Sequence, residues 1–253
     1  MENCGFGWQN HVLDATLAAS AQADTLPVDN LRNPAGSASL GWRCPRSSAV
    51  LTLSLPQPGT FRAFSLHRTN LTLAATLNVV ASLAGKTVWQ GQAKGCANGQ
   101  MVLVSPSSVQ ADAVTIAIGD SGNTDGFLSI PLAYAGPIWQ PVRNYSTEST
   151  VGRNLGSDSI TALGGTQFTE SRWIQRSLKI AHQSLGDTDA DQIEQTLRVA
   201  ASGRNILFLP VPDAGPAALA QKALFGRMTG DDVSNPFGVA DRHSTTLTLM
   251  ESL

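Results

Sequence analysis

Apolar residues recur with period two in short runs between about Ala15 and Ile130, and Gly, Pro, Asn and Ser bound each run. Such spacing marks half-buried antiparallel strands, whose side chains alternate between two faces. In Val50 to Leu55 the residues Leu51, Leu53 and Leu55 face one way and Thr52 and Ser54 the other; Pro56-Gln57-Pro58-Gly59 is expected to stop the strand. Leu77, Val79 and Ala81 repeat the pattern, as do Val114, Ile116 and Ile118. Asp120 to Gly126 is dense in residues that tolerate turns and reads as a hairpin turn, as does Gly85-Lys86-Thr87. This half shows no helical stretch of ten residues. A lone sheet would leave its apolar face wet, so two sheets packed face to face are predicted, a β-sandwich.

Charged residues make up 14% of the 253 residues, against about 25% in an ordinary soluble domain. A formal charge of -2 supplies no field for nucleic acid or an anionic membrane. The first ten residues lack the basic start and apolar run of a leader, and no stretch of apolar residues is long enough to span a bilayer, so neither export nor membrane insertion is expected. Cys4, Cys44 and Cys96 show no CxxC spacing, which fits a reducing cytoplasm better than a disulfide framework.

Composition changes near Ala135-Gly-Pro-Ile-Trp139, which places a domain boundary at about residue 137 and divides the chain into 1–137 and 138–253. Thr147 to Gly165 is polar and aperiodic and is expected to be an irregular stretch ordered by a partner or lying on the surface. Phe168 to His182 reads as a long strand. A helix follows, with Thr188 and Asp191 in capping-box spacing, an apolar stripe of Ile193, Leu197, Ala200 and Ala201, and Gly203 as its stop. Strands at Asn205 to Leu209, Leu224 to Met228 and Thr245 to Glu251 complete a small α+β sandwich with one helix. Leu247 to Met250 carries no charge until Glu251 and is expected to be an open edge that pairs with a neighbouring subunit.

Catalytic signatures fail by residue type. There is no GxSxG elbow and no HExxH, and His11, His67, His182 and His243 have no second ligand at metal spacing, so each reads as a surface or satisfied structural histidine. Gly85-Lys86-Thr87 lacks the opening glycine of a phosphate loop, since Val80 stands there. Aligning Gly126 with the sixth position of a calcium loop puts Leu132 where a bidentate glutamate belongs. No catalytic residue, metal or cofactor is predicted, and the chain does not read as an enzyme.

Binding residues are sought on the sandwich loops, in Trp42-Arg43 and in His67-Arg68-Thr69-Asn70. Trp42 can stack on a sugar's apolar face while Arg43, His67, Arg68 and Asn70 offer oriented hydrogen bonds. The competing reading has Trp42 plugging the end of the sandwich and Asn70 fixing a turn. Trp89, Trp139 and Trp173 read as core or interface anchors.

Leu26-Pro-Val-Asp-Asn-Leu31, Gly41-Trp-Arg43, Phe64 to Thr72, Gly126 to Ile130 and Ala135-Gly136 together make residues 12 to 137 resemble a discoidin, or galactose-binding-like, jelly roll. That family includes carbohydrate binders, lipid binders and structural modules. In the second half Gly136-Pro-Ile-Trp-Gln-Pro141, Gly164-Gly165, Asn205 to Pro210, Phe225-Gly-Arg-Met228 and Leu247 to Leu253 resemble tail proteins of long-tailed bacteriophages. The resemblance implies a tail-tube or distal-tail fold in which identical subunits pair sheets into a ring. It differs from the usual distal tail protein in placing the jelly roll first. The expected function is therefore a structural virion protein of a phage tail tip or distal tail, made in the host cytoplasm. Its partners would be copies of itself in a ring, other tail or baseplate proteins, and a host surface glycan. The alternative is a carbohydrate-binding module that attaches to host glycan, or a noncatalytic part of a glycan-processing complex.

Overall fold

The computed structural model describes residues 2–253 except 35, 38, 236, 237 and 239–241. Among these described residues nine strands occupy the first half: β1 (Gly5–Gly7), β2 (Thr16–Ala19), β3 (Trp42–Cys44), β4 (Ser48–His67), β5 (Thr76–Leu83), β6 (Lys86–Lys94), β7 (Met101–Gly119), β8 (Leu128–Ile130) and β9 (Leu132–Gly136). The second half holds β10 (Thr150–Thr161), β11 (Gln167–Leu185), α1 (Asp187–Ala201), β12 (Ile206–Leu209), α2 (Pro216–Lys222), β13 (Leu224–Gly230) and β14 (His243–Glu251). The protein is mainly β, a jelly-roll sandwich followed by an α+β sandwich.

In the first half β2, β4, β7, β5 and β6 lie side by side, and β9 continues the β2 edge along the far end of β4. The β3–β8 pair forms the opposing layer. Leu51, Leu53, Leu77, Val79, Val114 and Ile116 project from the large sheet onto Trp42, Cys44, Leu128 and Ile130 of the small one. The alternation read in the sequence is thus the inward face of this core.

Pro56 and Pro58 do not end the strand. Pairing of β4 with β7 jumps from Ser54–Ala113 to Gly59–Ala111, so residues 55 to 58 bulge opposite Asp112 and the strand resumes. A bulge accommodates proline because its missing N–H is not asked to join the ladder. Asp120 to Gly126 is likewise not a hairpin turn: it carries the chain from β7 to β8, which lie in different layers. Ala84-Gly85 does close the β5–β6 hairpin, both with positive φ (48° and 75°), as a tight two-residue turn requires.

The second sheet has the order β1-β12-β13-β14-β11-β10. The open edge expected at Leu247 to Met250 is absent, because β14 is an inner strand with Leu249 between Leu178 of β11 and Met228 of β13. The edges are β1 and β10. The stretch expected to be irregular contains β10, paired with β11 throughout. It shows no alternation because almost all of it is exposed on both faces. The capping-box reading of Thr188 also fails. Gly186 is the N-cap, without a side-chain bond, and Asp187 and Asp189 in the first turn complement the helix dipole. Ile193 and Ala200 are buried and Leu197 packs beside them, whereas Ala201 is exposed. The helix ends at Ser202 and Gly203, whose φ is 87°. A second helix, α2, was not expected; it opens with Pro216 at its first turn and is too short to show a period.

Residues 4 to 8 cross the line drawn at 137. Cys4, Phe6 and Trp8 sit in the core of the second half, and β1 pairs with β12 while Phe6 exchanges backbone hydrogen bonds with Trp139. The two sheets also meet directly. Ala63, Val102, Leu132 and Tyr134 of the first pack on Leu207, Leu209, Leu219, Ala223 and Phe225 of the second. Strand β12 is buried on both faces, which is why Ile206 to Leu209 is a continuous apolar run and not an alternating one.

Candidate functional site

The residues proposed for ligand binding part company in the structure, and three of them are not in loops: Trp42 and Arg43 lie in β3 and His67 ends β4. Trp42 is wholly buried in the first core, with its indole N–H donating to the Ala21 carbonyl (3.2 Å), so neither ring face is open to a sugar. This is the plugging role. Arg43 is half-buried with its guanidinium 4.4 Å from the centre of the Phe127 ring, and its Nε is buried without a hydrogen-bond partner. Asn70 binds the β7–β8 connection: its amide donates to Asp125 Oδ2 (2.8 Å) and the Phe127 carbonyl (2.9 Å), and its oxygen accepts from Ser129 N–H (2.8 Å). Arg43, Asn70, Asp125 and Phe127 therefore share one corner of the first half, two of them unforeseen from sequence. Asp120 takes no part; it accepts from the Thr72 backbone and hydroxyl at 2.6 and 2.7 Å.

His67 and Arg68 point elsewhere, to the junction between the halves. Ser65 and His67 lie on the face of β4 opposite to Phe64 and Leu66. The His67 ring bonds Ser65 Oγ (2.7 Å) and Gln100 Oε1 (2.8 Å) and stacks on Phe225 with 4.6 Å between centroids. The Gln100 amide donates to the Ala220 and Ala223 carbonyls at 2.7 and 2.8 Å, tying β7 to the end of α2. Burial pushes the His67 pKa down to about 3, with the Arg176 charge adding to the effect, so the ring is neutral at pH 7. Arg68 adopts φ 59° and donates to the Ser252 carbonyl (3.3 Å). These residues fasten one half to the other.

The other histidines have separate partners. His11 faces the Thr60 carbonyl (3.1 Å) and His243 faces Asp187 (2.7 Å). His182 is buried near Phe6 with Nε2 unpartnered, and burial lowers its pKa to about 4. Among the described residues no three His, Cys, Asp or Glu side chains gather as metal ligands, and no helix is long and apolar enough to cross a membrane.

An opening of about 830 Å³ lies where β10 and β11 leave the sheet, walled mostly by the second half with Asn98 of the first. Its walls include Val151, Arg153, Ile174, Arg176, Phe208 and Lys222. Arg176 is held by Glu251 in a two-pronged pair (Nε–Oε2 3.0 Å, Nη2–Oε1 2.5 Å) and donates to the Gln221 carbonyl (3.1 Å). Strand β14 pairs with β11 only between Ser177 and Leu185. Beyond Ser177 the β10–β11 ribbon continues alone as an arm of roughly 30 Å, at about 3.3 Å per residue. Leu155, Ile160, Leu163, Phe168, Trp173 and Ile174 are exposed on it, and Val151 is exposed at its base. A Cβ at Gly156 would stand 2.2 Å from the Trp173 ring, so glycine lets that indole lie across the arm. Trp173 is thus an exposed arm residue, whereas Trp89 stacks on Phe64 and Trp139 packs against Trp8 and Phe6.

No protein-family profile and no curated protein matches the sequence. Among solved structures the chain is similar to SpGH29, with 17% identity and a TM-score of 0.41 over 51% of this chain and 28% of that one. It is also similar to the family 32 carbohydrate-binding module of C. perfringens NanJ, crystallised with galactose (14% identity, TM-score 0.41, 52% of this chain, 98% of that). A third is the Streptococcus pneumoniae fucose-binding module SpX-3 (11% identity, TM-score 0.41, 51% and 98%). The chain spans only about a quarter of SpGH29, and at these scores no function is drawn from the likeness.

Proposed function

We propose that this is a noncatalytic structural protein that assembles with copies of itself through the second half and displays the jelly roll, as a component of a long-tailed bacteriophage tail tip or distal tail. The carrying observation is the arm. A two-stranded ribbon is marginal in water by itself, and this one presents exposed aliphatic and aromatic side chains along its length. Burying each large apolar side chain contributes about 1.5–3 kcal/mol. A neighbouring subunit is therefore the natural cover, and self-association replaces the edge pairing that β14, as an inner strand, does not offer. Mass measurement of the full chain at rising concentration, with imaging of the species formed, tests this. A closed multimer is expected; a monodisperse monomer at the highest soluble concentration overturns it.

A second reading, glycan binding by the first half, is favoured by the Arg43–Asn70–Asp125–Phe127 corner, where an aromatic ring, a cation and an amide stand together. Screening the chain against surface polysaccharides checks it: binding that is lost in Arg43→Ala supports the reading, and no binding to any glycan removes it. Trp42→Ala is a poor probe because that ring belongs to the core.

A further inference from the structure

We propose that the tip of the arm of one copy seats in the cleft at the base of another copy's arm, joining copies head to tail. This rests on the self-assembly reading above and gives it a geometry.

The two surfaces match in chemistry. The cleft has an apolar lining, with Phe208, Val151 and Ile174 among its walls. At its rim Arg176 is neutralised by Glu251, while Arg153 and Lys222 are exposed and no acidic partner meets them among the described residues. The tip carries exposed Ile160, Leu163 and Phe168, with Ile160 directly opposite Phe168 in the ribbon. There Asp158 is paired with Arg172, which leaves Glu170, opposite Asp158, as the uncompensated charge. An apolar tip with an acidic flank thus meets an apolar cleft with a basic rim.

Length excludes the protomer's own tip. Arg153 stands in the cleft and Ile160 at the tip of the same strand, and seven extended residues separate them by roughly 23 Å. Both belong to one continuously paired ribbon, so the tip cannot turn back without breaking the ladder. The occupant is then a second copy, and because tip and cleft are different surfaces the contact is heterologous. It closes into a ring or extends as a filament according to the rotation it imposes.

The test uses two full-length double variants, Ile160→Glu/Phe168→Glu at the tip and Arg153→Glu/Lys222→Glu at the cleft. All four side chains are exposed, and unchanged monomer melting confirms that each variant folds. In sedimentation velocity each variant alone is expected to associate at least tenfold more weakly than the parent chain. Mixed one to one they should form a heterodimer and nothing larger, since the mixture retains one working tip and one working cleft. If the tip variant is monomeric and the cleft variant assembles normally, the arms pair with each other and the proposal is wrong. A mixture that stays monomeric also overturns it. A parent chain that is itself monomeric overturns the assembly reading as a whole, whereas a parent chain and both variants that assemble alike overturn only the tip-in-cleft contact.

Discussion

The junction between the halves and the arm are both built from strands rich in apolar residues, yet they sit at opposite ends of the stability scale. At the junction Leu207, Leu209, Phe225 and Tyr134 are buried, and the polar groups among them, His67, Ser65 and Gln100, are hydrogen-bonded. On the arm Ile160, Phe168 and Ile174 face solvent, and only the ladder between two strands holds them. The difference teaches that strand propensity alone does not fix a side chain's worth. Its partner does, and the junction's partner lies within the chain while the arm's is proposed to lie outside it.

Truncating a junction side chain should have the largest effect. Leu209→Ala is expected to cost about 2–5 kcal/mol, from lost transfer energy and the cavity left behind; urea unfolding checks it, and a cost below that of an arm truncation would break the contrast. Acid should weaken the fold as well, at the junction through His67 and in the second core through His182. His67 and His182 have folded pKa values of about 3 and about 4, below the unfolded value, so the unfolded chain binds more protons as pH falls. Their contribution is complete above about pH 6.5 and is lost as pH falls from there towards 3–4. At pH 4.5 this amounts to about 2–3 kcal/mol per histidine. Thermal melts from pH 7 to 4.5 should show the decline, with a shallower slope in His67→Gln. Gln100→Ala removes the partner of the Ala220 and Ala223 carbonyls and of one His67 nitrogen and is expected to cost about 1–3 kcal/mol, the scale of leaving a buried polar group unsatisfied, read by equilibrium unfolding. Smallest of all is Ile160→Ser on the arm. Monomer stability should stay within about 0.5 kcal/mol of the parent, as for exposed sites generally, while self-association weakens.

Legibility followed burial in the same way. Leu77, Val79 and Ala81, and likewise Val114, Ile116 and Ile118, were readable because one face of each strand is dry and the other wet. Thr150 to Thr161 was not, because both faces are wet and no alternation is selected. Pro56 and Pro58 misled because a stop and a bulge look alike in one dimension; the pairing with Ala111 and Ala113 distinguishes them. Of the five binding candidates, Arg43 and Asn70 do share a corner, but their companions Asp125 and Phe127 come from a loop far along the chain. Trp42 and His67 were credible as ligand contacts only while their burial was unknown.

The amino-acid order by itself determined the strand-rich character, α1 and the lack of any catalytic signature, since these depend on local periodicity and residue type. Only the tertiary structure decided that β1 belongs to the second sheet, that β14 is an inner strand, and that the exposed apolar surface lies on the arm. Those are matters of which distant segments hydrogen-bond and cover one another, and pairing between residues two hundred positions apart leaves no local trace in either partner.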